Sequence, residues 1–150
     1  MKTIFDKAVR DELTNRINSL GESSQAQWGK MNVYQMIKHC NTWNAWVQGK
    51  QHSDLRQEFL GKIFGKMALK SNTRDDTPMK KGMPAGKAFT IKEKAGDVAV
   101  QRDILKGLIA DYAHFSNEGF IHDFFGKMTK EQIGVFAYKH VDHHLRQFGV

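Results

Sequence analysis

Apolar residues along the chain recur at intervals of three and four, and nowhere alternate convincingly enough for a strand. Phe5, Val9, Leu13, Ile17 and Leu20 mark a helix over about 3–20, with Gly21 as its stop. A second begins at Asn32, a good N-cap with Gln35 at the capping-box position, and runs to about residue 48. Val33, Met36, Ile37, Cys40, Trp43 and Val47 share its face, and Gly49 closes it. A shorter helix over about 54–69 is interrupted by Gly61 and Gly65. Leu105, Leu108, Ile109 and Tyr112 belong to a third main helix over about 97–116. The last starts at Thr129, again in capping-box spacing with Gln132, and runs to about residue 148.

Four main amphipathic helices without strands predict an all-α fold, a four-helix bundle occupying residues 1–150 as one domain. The connection before the third main helix, over about 70–96, is long for such a domain. Connections of that length are often functional, so this one is expected to cross the end of the bundle and line a site.

Composition agrees with a globular chain: 40% hydrophobic and 26% charged residues, at a mean hydropathy of −0.56. No apolar run approaches the roughly twenty residues of a spanning helix. The opening MKTIFDKAVRDEL carries charges where a signal peptide needs an apolar stretch. Cys40 is the one cysteine, so no intramolecular disulfide forms. A cytoplasmic location is therefore expected, with no membrane partner.

Charge changes the picture in one region. The net charge is +7, and residues 61–94 hold nine basic residues against Asp75, Asp76 and Glu93, which is nearly the whole excess. A solvated, lysine-rich connection explains this run, and an entrance that attracts an anionic substrate is the sharper alternative. Nucleic-acid binding is not expected, because only Phe64 and Phe89 are available there for base stacking. No P-loop is present, since GKIFGKMALK lacks the Lys-Ser/Thr ending.

The candidate chemistry lies in KHVDHHLRQF. On a helical wheel His140 and His144 fall inside the apolar stripe of the last helix, and His143 falls on its margin. Two buried imidazoles one turn apart need partners, because each unpaired polar group costs about 1–3 kcal/mol. A metal ion satisfies both, with a third ligand from a facing helix. His39 is the candidate, on the shoulder of the second helix's buried face. An H-x-x-x-H spacing alone more often marks a surface or hydrogen-bonded pair; the apolar setting shifts that balance. His52, His114 and His122 have no such setting and read as surface or loop residues. Cys40 reads as packing, and Asp142 and Tyr138 point away from the stripe.

WGKMNVYQMIKHC (Trp28 to Cys40) and FFGKMTKEQIGVFAYKHVDHHLRQFGV (Phe124 to Val150) resemble the DinB-like superfamily of bacterial helical bundles, in an uncharacterised branch. The resemblance is close at these two ends and looser over about 50–96. It implies a divalent metal held by a helix-2 histidine and a C-terminal H-x-x-x-H, here His39, His140 and His144. It also implies a homodimer and, in some members, S-transferase or isomerase activity with low-molecular-weight thiols.

Three imidazoles leave a metal with open positions, the arrangement of catalytic rather than closed structural sites. Zn or Ni is the expected occupant, and Fe, Mn and Cu also suit the donors. Thiol chemistry with a small-molecule substrate is the first expectation. Metal-dependent hydrolysis and a non-catalytic, structural metal site are the alternatives. No residue stands out as a general base.

Overall fold

The computed structural model describes residues 1–52 and 54–150. Five helices follow in chain order: α1 (Lys7–Asn18), α2 (Val33–Val47), α3 (Phe59–Thr73), α4 (Val98–Asp111) and α5 (Lys130–Gln147). The two capping boxes form as spaced in the sequence. Asn32 accepts from the Gln35 amide at the start of α2, and Thr129 accepts from the Gln132 amide at the start of α5. Gly49 closes α2 with a positive φ of 73°. Gly21 does not close α1, which ends earlier; the Ser19 and Leu20 amides turn back onto the carbonyls of Arg16 and Ile17.

Helices α1, α2, α4 and α5 pack around one core, in which Leu13, Ile37, Leu105, Ile109, Ile133 and Val141 are almost fully buried. A two-stranded antiparallel ribbon, β1 (Ile121–His122) with β2 (Gly126–Lys127), interrupts the otherwise helical chain, where no strand was expected. It is a local turn held by His122, whose Nδ1 accepts from the Phe124 and Phe125 amides at 3.1 and 3.3 Å. Two residues per strand leave no period to read.

Helix α3 packs on α5 and β2 from outside the other four. It starts five residues later than its sequence pattern suggested, and its glycines do not interrupt it. Gly61 and Gly65 are its buried face, and a Cβ at either would collide with the Phe124 carbonyl. The approach of backbone to backbone is possible only because both side chains are absent.

Helix α5 is buried on nearly every side. The face that the wheel left outside the apolar stripe is covered, not solvated. Tyr138 lies under Lys2, Lys139 donates to the Thr77 carbonyl at 2.9 Å, and Asp142 pairs with Arg16 and Arg146, each at 2.7 Å. The connection between α3 and α4 supplies part of that cover and then crosses to α2. There Gln35 donates to the Ile91 carbonyl and Asn32 to the Lys94 carbonyl. Its lysines Lys80, Lys81, Lys87, Lys92 and Lys94 are exposed. Among the described residues, no helix is long and apolar enough to cross a membrane.

Candidate metal centre

The middle of α2 and the C-terminal half of α5 bring His39, His140 and His144 together. All three are buried, and one ligand atom from each lies within 4.8 Å of the others. His39 Nε2 and His140 Nε2 face each other at 3.1 Å, close to the roughly 3.3 Å separating two imidazole nitrogens at about 2.05 Å from one tetrahedral ion. The ring of His144 sits edge-on to both, with centroids 4.8 Å from His39 and 4.9 Å from His140.

Second partners fix two of the rings. His39 Nδ1 lies 2.8 Å from the Phe89 carbonyl oxygen, an acceptor only, so Nδ1 carries the proton and Nε2 presents its lone pair to the cluster. Phe89 ends a short 3-10 turn, Lys87–Phe89, within the long connection. That segment therefore reaches the site, through a backbone carbonyl rather than a charged side chain. His144 Nδ1 lies 2.9 Å from Gln147 Oε1. The orientation of that amide is set in turn, because Gln147 Nε2 donates to the Trp28 carbonyl at 2.9 Å. Room for it comes from Gly29, whose φ is 83° and where a Cβ would press on Gln147 Nε2. His140 is held differently: it stacks on the indole of Trp43 at 4.3 Å, and its buried Nδ1 has no hydrogen-bond partner among the described residues.

Electrostatics keep the cluster in the ligating form. Burial, followed by the neighbouring histidines, holds His140 well below the ordinary histidine value. Burial and then the proximity of His39 push His144 down to about 3, against a smaller upward pull from Gln147. His39 is lowered by burial, which outweighs the Phe89 hydrogen bond. All three are neutral at pH 7, as imidazole ligands must be.

The remaining histidines divide. His143 is half-buried, with its ring edge toward Trp28 and 5.2 Å from that of His144. His52 lies in a loop, and the exposed His114 ends a short 3-10 turn, Tyr112–His114, after α4. His122, expected at the surface, is 8% exposed and packs among Trp46, Phe125 and Phe136. Cys40 is buried beside the Met36 sulfur with its thiol pushed up by burial, a packing residue as its place in the stripe suggested. Asp142 takes no part in the cluster; both its oxygens are held by arginines.

Sequence reasoning missed the two hydrogen-bonding partners of the histidines. Gln147 carries a signal after the fact, since it stands three residues from His144 on the same helix. A backbone carbonyl fifty residues from His39 carries none.

Fold and site together define a mainly helical protein with a buried cluster of three neutral histidines. Residues 5–149 match the model of a family described as "Protein of unknown function (DUF1569)", and the chain belongs to that family. No curated protein matches it, and no solved structure matches it.

Proposed function

We propose that this chain is a DinB-like metal protein, with α1, α2, α4 and α5 as its four-helix bundle and His39, His140 and His144 binding one divalent cation. The carrying observation is the convergence of three neutral imidazoles, two with ring orientations held by the Phe89 carbonyl and Gln147. The Nε2 atoms of His39 and His140 face each other at 3.1 Å with His144 beside them, a spacing that suits nitrogens sharing one cation. All-imidazole donors suit Zn or Ni first, then Cu, Fe or Mn.

Purified wild type should contain close to one equivalent of metal by elemental analysis, and His144→Ala should contain little. Equal, stoichiometric metal in both would remove His144 from the ligand set.

The chemistry we favour is thiol-dependent transfer. A bound divalent cation supplies positive charge that favours a thiolate over a thiol. The chain's own part would be to present three neutral imidazole nitrogens to the cation, while Asp142, on the same helix, is held away by Arg16 and Arg146. Burial of all three histidines favours a second reading, a cation held for stability. Chelation separates the two. Loss of thiol binding with an unchanged Tm supports the first reading, and a drop in Tm with no thiol binding before stripping supports the second.

A further inference from the structure

Helix α3 turns its largest apolar side chains outward. Phe59, Leu60, Ile63, Phe64 and Met67 are between 49% and 75% exposed, on the face opposite Gly61, Gly65 and Leu69. Isolated exposed hydrophobes need no explanation, but five on one helical face form a patch of the kind that marks an interaction surface. The helix cannot roll to hide them, because only its glycine face fits against the Phe124 carbonyl.

The charges carried by the helix itself have one sign. Lys62, Lys66 and Lys70 are all exposed, and the helix contains no acid; the nearest in the chain, Glu58, precedes it. Lys66 reaches the Lys127 carbonyl, which places α3 beside the ribbon, where Lys127 and Ile121 are also exposed. A second copy laid on the same face would bring two lysine-bearing helices together with no acid on either. An anionic lipid surface suits both halves of the pattern. The acyl boundary takes Phe, Leu, Ile and Met, and the headgroups take the lysines.

We infer that α3 is a peripheral docking helix, which lays its Phe59–Met67 face into an anionic membrane surface with the lysines at headgroup level. The expectation of no membrane partner rested on the lack of a spanning segment, which does not bear on a helix lying in the interface. The site is separate from the histidine cluster and does not depend on its occupancy.

Flotation of the full chain with vesicles tests this. We expect enrichment of more than about tenfold on phosphatidylcholine vesicles containing phosphatidylglycerol over phosphatidylcholine alone. That enrichment should weaken in about 1 M salt, where the screening length falls to about 3 Å. Ile63→Asp with Met67→Asp, and separately Lys62→Glu with Lys66→Glu, should each abolish it while far-UV circular dichroism is unchanged. No enrichment at low salt overturns the proposal. So does binding that survives the aspartate pair, since lysines elsewhere would then be responsible. A dimer by sedimentation velocity that the aspartate pair dissociates, without vesicle binding, assigns the face to a second copy instead.

Discussion

Helices α3 and α5 invert the usual rule in opposite directions. Helix α5 carries His140, Asp142, His144, Lys139 and Gln147, yet each of these is buried. Helix α3 carries mostly apolar residues and buries mainly two glycines and a leucine. The difference lies in what each helix is offered by its surroundings. The buried polar groups on α5 meet designated partners: Arg16 and Arg146 for Asp142, the Thr77 carbonyl for Lys139, Gln147 for His144. Burial is tolerated where the hydrogen bonds are replaced. Where α3 crosses the Phe124 carbonyl only glycine fits, so Gly61 and Gly65 make that contact, Leu69 is buried one turn further on, and the other large apolar residues lie on the outer face.

That contrast fails first, if it fails, at Asp142. Asp142→Ala removes the buried carboxylate between Arg16 and Arg146, leaving Arg16 with Glu12 at 3.5 Å and the Val150 oxygen, and should destabilise the protein by about 1–3 kcal/mol in urea denaturation. A loss below 1 kcal/mol would mean that the interior of α5 is better solvated than its packing indicates. Gln147→Leu removes the partner of His144 without touching the cluster's facing nitrogens. It should weaken metal affinity by about 10–100-fold in a competition titration.

Titration probes the same interior. His144 is held at about 3 in the folded chain against an ordinary value of 6.5, so between these limits the unfolded chain binds a proton that the folded chain does not. Its contribution is fully present above pH 6.5 and falls on acidification by about 1.4 kcal/mol per pH unit. His39 and His140, also lowered, act in the same direction. Urea midpoints of chelated protein should therefore fall between pH 6.5 and 5, above the range where ordinary carboxylates titrate. A flat profile there would contradict a neutral, buried cluster. The smallest effect belongs to α3: Ile63→Ser should change stability by no more than about 0.5 kcal/mol, because its side chain leaves little in the folded state to lose.

Much of this was legible in the chain. The capping boxes at Asn32 and Thr129 and the stop at Gly49 are local chemistry, complete within four or five residues, and each formed where it was read. The wheel placed His140 and His144 in the apolar stripe and left His143 on its margin, and the fold keeps that order. A wheel, however, sees only the face with the most apolar residues. It could not show that the other side of α5 would be roofed by α1 and the long connection, because those contacts join residues more than sixty positions apart. His122 was misread for a related reason. Its burial comes from aromatic residues on α2, α5 and the ribbon, assembled only by the fold. Glycines inside an apolar helix read as interruptions, when their small size was the reason the helix could dock.

The stacking of Trp43 on His140 gives the site an optical consequence. An open-shell ion such as Ni or Cu held by His140 would sit within quenching range of that indole, whereas filled-shell Zn would leave its emission largely intact. Trp28 and Trp46 also emit, so the readout is the fraction of emission lost as each metal is added to stripped protein, larger for an open-shell ion than for Zn.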